Sequence, residues 1–249
     1  MEKKQKRLKL IIVVLLVVFS VSIFKVVQIK SQGAREEKAF AQLRQGREAE
    51  EKNQGPKENP WVQKGYEKLY EKNQDLRAWL QIPQTKLDYP VMYTPGEVRH
   101  YLRRGFDKNY ALSGTPFIGL NGDVDKDMFI IYGHNMSNGT MFAALPSYEK
   151  EDFYQDHKEI ILTTPEEERA YEVFASLKVK VPVKDGVAYY NYSGDLDGAS
   201  YKELVQYLEE NSLIQTGTGP KNREQILILS TCSYHTEDGR FFIAAKRIR

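Results

Sequence analysis

The sequence predicts a mainly β domain, a largely antiparallel barrel decorated with helices, standing behind one apolar N-terminal helix. Three observations predict it. A basic cluster followed by a long apolar run opens the chain. After Pro83, seven short segments rich in β-branched and aromatic residues recur, each bounded by Gly, Pro, Asn or Asp. Segments with helical spacing stand before and between them. Of the 249 residues, those beyond the opening segment amount to a single domain of ordinary size with one core.

In chain order, residues 1–9 form a basic tail with Lys3, Lys4, Lys6, Arg7 and Lys9. Residues 10–29 are apolar except near Lys25 and have the length a bilayer requires. Basic residues ahead of such a span favour a cytoplasmic N-terminus, which puts the residues after about 30 outside the cell. A cleaved signal peptide is the alternative, but the small residues a peptidase needs are poorly represented between Ser20 and Ala34. Residues 30–60 are charged, with Ala39, Phe40 and Leu43 as a thin helical stripe and Gly55-Pro56 and Asn59-Pro60 ending it, which reads as a stalk or linker.

The domain proper begins at residue 61. Trp61, Leu69, Leu76 and Trp79 lie among charges at mostly helical spacing, which predicts two short helices before Pro83. Strands are expected at Leu87 to Met92, Thr115 to Leu120, Met128 to Tyr132, Ile160 to Thr163, Ala170 to Val181, Gln225 to Ser230 and Phe241 to Arg247. Helices are expected at Glu97 to Leu102, Met141 to Tyr148 and Ser200 to Glu210, the last with Leu204, Tyr207 and Leu208 on one face.

Composition narrows the function. The formal charge of +2 is spread along the chain, with no basic field for nucleic acid. No nucleotide-binding or metal motif is present and a single cysteine excludes a thiolate zinc site, so no cofactor and no metal are expected. The run Glu166-Glu167-Glu168 reads as a solvated turn.

That single cysteine, Cys232, is unusual in a domain expected outside the cytoplasm, where thiols pair or are absent. It is either a small buried hydrophobe or a reactive thiol. It follows the apolar run Ile226 to Leu229, which puts it at a strand end facing a loop mouth. A thiol needs a base or cation to favour its thiolate, and imidazole is the usual partner. His134 follows the apolar run Phe129 to Tyr132 and Gly133, so it too stands at a strand end. His100 lies in an expected helix and His157 in a charged stretch; both read as surface residues. His235, three residues after the cysteine, is the rival, although its loop must fold back to reach the sulfur. Arg240 opens the strand after the loop Ser233 to Gly239, and a hairpin returns it beside Cys232. There it is either an ordinary surface arginine or a cation for a carbonyl or oxyanion.

Tyr132-Gly133-His134-Asn135-Met136 and Leu229-Ser230-Thr231-Cys232, with an Arg eight residues on, resemble the histidine and cysteine motifs of the sortases, class B in particular. Trp79-Leu80-x-Ile82, Asp88-Tyr89-Pro90-Val91, Tyr101-Leu102, Gly114 to Phe117 and Gly139 to Phe142 follow the class B order. The resemblance spans roughly residues 61–249, which it marks as the catalytic domain. It implies an eight-stranded sortase barrel with N-terminal helices and an extra helix before the cysteine strand. It further implies Cys232 as nucleophile, His134 as general acid and base, Arg240 as stabiliser of substrate or oxyanion, and Tyr132, Ser230 and Thr231 lining the groove. The Ser233 amide is a candidate oxyanion donor on geometric grounds.

The chain departs from the family pattern at Ile228, commonly Thr; at Tyr234, Asp in some class B members; and at Gly119, Asp in many. No carboxylate is thereby assigned to orient the histidine. The implied reaction cleaves a C-terminal sorting signal through a thioester and passes the product to an amine. Implied partners are a surface-protein or pilin precursor, an amine of the cell wall or of a pilin, and the membrane. A thiol peptidase using water and a non-enzymatic anchored binding module remain as other readings.

Overall fold

The computed structural model describes residues 2–53, 65–183, 187–233 and 236–249. Eight strands close into a barrel in the order β1-β2-β3-β4-β7-β8-β6-β5. They are β1 (Leu76–Gln81), β2 (Asp88–Met92), β3 (Phe117–Ile118), β4 (Met128–Tyr132), β5 (Glu159–Thr163), β6 (Glu168–Lys180), β7 (Ile226–Cys232) and β8 (Gly239–Arg247). The pairs β2/β3 and β4/β7 are parallel and the other six antiparallel. All seven strands read from the sequence are present, which makes the fold a mainly β barrel with helices.

Closure gives every strand an inner and an outer face, and the side-chain period of two sorts residues between them. Ala78, Leu80, Tyr89, Val91, Ile118, Phe129, Ile131, Leu162, Val173, Leu227, Leu229 and Ile243 fill the interior. Their alternates on one side, Met128, Ile130, Ile226, Ile228, Phe242 and Ala244, form an outer layer. This explains why β4 and β7 read as continuous apolar runs: both faces are covered. The outer cover is α4 (Gly198–Glu210), whose Tyr201, Leu204, Val205 and Leu208 are buried at helical spacing. Asp197 caps that helix by accepting the Ser200 amide at 2.7 Å.

Two sequence expectations are corrected. Leu76 and Trp79, expected on a helix, lie in β1. Their three-residue spacing imitates a helical face, but β1 is paired on both edges, to β2 and β5, and pairing overrides that local pattern. Among the described residues of this stretch only α2 (Glu67–Lys72) is helical, and Trp61 lies outside them. The segments 97–102 and 141–148 hold single 3-10 turns, at His100–Arg103 and Leu145–Glu149, rather than α-helices. A short helix α3 (Glu151–Asp156) and a 3-10 turn at Tyr189–Tyr192 are additions.

The helix α1 runs unbroken from Glu2 to Asn53. Leu10 to Ile29 carry exposed apolar side chains, and this helix is long and apolar enough to cross a membrane. From Gly33 onward the same helix lies on the barrel. Phe40 is buried and sets its ring edge-on to Tyr89, with centroids 5.3 Å apart. Arg47 donates to the Tyr66 hydroxyl at 3.0 Å and covers the Trp79 ring.

Candidate active site

Strand register brings the candidate residues together. In the parallel pair β4/β7, Tyr132 is level with Ser230, so His134, two residues past the end of β4, comes level with Cys232 at the end of β7. In the antiparallel pair β7/β8, Cys232 is directly opposite Arg240. Residues opposed across a ladder share a face. Cys232 keeps step with Ile226, Ile228 and Ser230, and Arg240 with Phe242 and Ala244, so thiol and guanidinium both project from the outer face.

Hydrogen bonds continue this zipper past the last paired residues. The Gly133 amide donates to Ser230 O at 3.2 Å, and Thr231 Oγ1 donates to Gly133 O at 2.7 Å. Asn135 Nδ2 donates to Cys232 O at 3.2 Å. The Phe142 amide in turn donates to His134 O at 2.9 Å. Gly133 is required here by close approach: a Cβ at that position would lie 2.7 Å from the Phe142 ring. The segment carrying the imidazole is thus stitched to the strand carrying the thiol.

The outer face opens into a groove of about 610 Å³, lined in part by Leu102, Tyr132, His134, Tyr189, Cys232 and Arg240, with Ser230 and Thr231 also on its wall. Cys232 is half-buried, so its sulfur sits at a mouth rather than in the core. His134 Nε2 lies 2.9 Å from Leu102 O. Because a carbonyl only accepts, Nε2 carries the hydrogen, and in the neutral ring Nδ1 is left as the basic nitrogen. Burial lowers the His134 pKa below the ordinary imidazole value; the Leu102 bond opposes this and the Arg103 charge adds to it. The ring is therefore neutral at neutral pH.

The groove's tyrosines carry the arginine's field. Burial pushes the Tyr132 hydroxyl up to about 12, against the pull of Arg240. Burial also raises Tyr189, whose hydroxyl shares a 2.9 Å hydrogen bond with Ser230 Oγ and whose ring stacks on Phe242 at 4.2 Å. Both stay neutral and serve as fixed dipoles. Tyr132 crosses the position where the family pattern departs: a Cβ on Gly119 would meet its ring at 2.6 Å. An Asp cannot stand there while Tyr132 keeps this pose.

The arrangement suits acyl transfer, with a thiol, a neutral imidazole and a guanidinium sharing one end of a groove. The Ser233 amide is an exception to the expected set. It donates to Gly239 O at 2.9 Å, closing the β7/β8 hairpin, so as placed it is already committed and not free for an oxyanion. The rival His235 lies outside the described residues, as does Tyr234. Sequence reasoning missed the Leu102 carbonyl, which carries no side-chain signal. It also missed Tyr189, although the run Tyr189-Tyr190-Asn191-Tyr192 stands out in the sequence. Asn135 was quoted in the motif, but its bond to the Cys232 backbone was not foreseen.

Comparison with known proteins agrees with this geometry. The Sortase domain family model matches residues 80–248. Sortase B of Staphylococcus aureus is 27% identical over 246 residues, covering 97% of this chain and 95% of its own. Sortase B of Listeria monocytogenes is 28% identical over 185 residues, 72% of each chain. Among solved structures, a Staphylococcus aureus sortase B-substrate complex superimposes with a TM-score of 0.76 at 24% identity, covering 88% of this chain and 99% of that one. Clostridium perfringens sortase B does so with 0.67 at 27% identity, covering 74% and 100%. The chain belongs to the sortase family of cysteine transpeptidases, and its relatives are class B sortases.

Proposed function

We propose that this transpeptidase of surface proteins uses Cys232 as nucleophile, His134 as general acid and base, and Arg240 as the cation facing the developing oxyanion. The observation that carries the assignment is the register, with Cys232 opposite Arg240 and level with His134. His134 Nδ1 takes the thiol proton of Cys232 as the sulfur attacks a backbone carbonyl carbon in a C-terminal sorting signal, giving a tetrahedral oxyanion that the Arg240 guanidinium neutralises. Collapse breaks the C–N bond. His134 delivers a proton to the leaving amine, and a thioester remains on Cys232. An acceptor amine then attacks the thioester, His134 takes its proton, and the thiolate is released as the new amide forms. Tyr132, Ser230 and Thr231 line the groove that receives the signal. Once the hairpin bond to Gly239 is released, the Ser233 amide becomes a further donor to the oxyanion.

The long apolar part of α1 supports a single-pass anchor over residues 10–29, with the basic tail 1–9 in the cytoplasm, residues 30–60 outside the bilayer, and the domain from residue 61 outside the cell. Partners in this reading are membrane-held surface-protein or pilin precursors, with a cell-wall peptide amine or a pilin lysine as acceptor.

The test uses the full chain in detergent micelles with a library of C-terminal signal peptides. A thioester adduct on Cys232, followed by amide product only when an amine is added, is the expected result. Hydrolysis at the same rate with and without amine would make the enzyme a peptidase. No adduct from any peptide would overturn the assignment.

A further inference from the structure

We propose that Glu36, on the helix continuous with the apolar N-terminal segment, is a positioning residue for the His134 imidazole, acting through the loop that carries the Leu102 carbonyl. Its carboxylate accepts two backbone amides remote in sequence, Leu112 at 2.8 Å and Ser113 at 2.9 Å. Gln32 Nε2 donates to the same carboxylate at 2.9 Å and fixes its plane. Burial would raise the Glu36 pKa, but the bonds from Ser113 and Leu112 outweigh it and hold the group below the usual carboxylate range. Both bonds to the loop are therefore charge-assisted.

The two amides belong to a segment folded directly on the turn His100–Arg103. The Ala111 amide donates to Arg103 O at 3.0 Å, and the Thr115 amide to Tyr101 O at 3.1 Å. Thr115 Oγ1 donates to Arg104 O at 2.9 Å. Between them Gly114 has φ +59, and a Cβ there would lie 2.6 Å from the carbonyl oxygens of both Tyr101 and Leu102. That contact leaves no slack between the two segments. Leu102 O then accepts the Nε2 hydrogen of His134 at 2.9 Å. A continuous series of short contacts thus runs from Glu36 to the imidazole, and it supplies the orientation that no carboxylate among the described residues of the groove provides. Ser113 and Leu102 themselves line the groove.

A residue that merely fastens α1 to the barrel would, when lost, lower thermal stability and leave the imidazole undisturbed. A positioning residue moves the imidazole. Among the described residues, the charged and titratable groups around His134 are Arg103 from the turn, Tyr132 from β4, Cys232 from β7 and Arg240 from β8, with Tyr189, Tyr190 and Arg99 further along the groove. None of them is altered by a change at Glu36. The inference rests on the proton-transfer role proposed for His134, and its test separates the two.

The full chain in micelles, with isotope-labelled histidine, is titrated by NMR, and alkylation of Cys232 by iodoacetamide is timed at neutral pH. In Glu36→Ala the His134 resonance should shift, because the Leu102 carbonyl that holds its Nε2 hydrogen is displaced. Alkylation should slow by about tenfold, as expected when a catalytic group loses its orientation. Glu36→Gln keeps one good acceptor oxygen and should recover most of the rate, about threefold below wild type. Lys38→Ala, an exposed change on the same helix, should match wild type in both readouts. Should Glu36→Ala fail to fold, Glu36→Gln carries the test with the smaller effect. An unmoved His134 resonance together with an unchanged alkylation rate in the folded variants overturns the inference. A moved resonance with unchanged alkylation upholds Glu36 as a positioning residue and sinks the role given to His134.

Discussion

The two halves of the site are held by different means. Cys232 and Arg240 sit on adjacent strands, opposite one another in a ladder that β7 and β8 share over seven residue pairs. His134 sits two residues past the end of β4, and its placement depends on loop contacts: Asn135 to Cys232 O, the Phe142 amide to its own carbonyl, and Leu102 O at its ring. Sheet register is insensitive to a single side chain, because a slip would turn every residue to the other face. Loop contacts are few and individually modest. The thiol and guanidinium are thus fixed by the barrel, whereas the imidazole is adjustable, and perturbations should fall unequally on the two halves.

Replacing the guanidinium should have the largest effect. Arg240→Lys keeps the charge on a strand that does not move, so folding should be unaffected while acyl transfer falls by about 100-fold, the loss expected when an oxyanion donor is removed. Comparing turnover and melting temperature on one preparation checks it; a variant near wild-type rate would show that any cation at this position suffices.

A smaller loss is expected on the histidine side. In Gly133→Ala the new methyl meets the Phe142 ring at 2.7 Å and pushes the imidazole segment off β7. Overpacking of this kind costs about 1–3 kcal/mol, and turnover should fall by more than the fraction unfolded accounts for. Equal losses of activity and folded population would place the damage in the fold rather than in the site.

The smallest effect is on pH stability. The folded-state pKa of His134 is lowered, so the unfolded chain binds its proton first as the pH drops. Stability is therefore lost as the pH falls below about 6.5, the unfolded imidazole value. Between about pH 7.5 and pH 5.5 the melting temperature of wild type should decline more than that of His134→Gln, which has no such proton to bind. Equal slopes would mean that the ring is not desolvated in the folded protein.

The same division explains what could be read from the sequence. Strand ends are legible: apolar runs stop at Tyr132 and Leu229, and the residues beyond them fall at one rim. The seven strands after Pro83 are found where runs of β-branched and aromatic residues between turn residues put them. Trp79 and Leu76 mislead, because β1 is covered on both faces and so need not alternate, and their spacing fits a helix as well. Contacts made by backbone atoms are the least visible. Nothing in the letters 99–115 announces that Leu102 offers its carbonyl to His134, or that the amides of Leu112 and Ser113 meet a carboxylate 76 and 77 residues earlier in the chain. The stripe Ala39, Phe40, Leu43 shows a helix, but not that Phe40 is buried against the barrel.

The central claim is that thiol and imidazole work as one unit, and the pH dependence of Cys232 alkylation in the full chain tests it most directly. Wild type should label rapidly at neutral pH, with a profile that thiol and imidazole set together, and His134→Ala should label slowly with a different profile. Identical profiles for the two proteins would contradict the account.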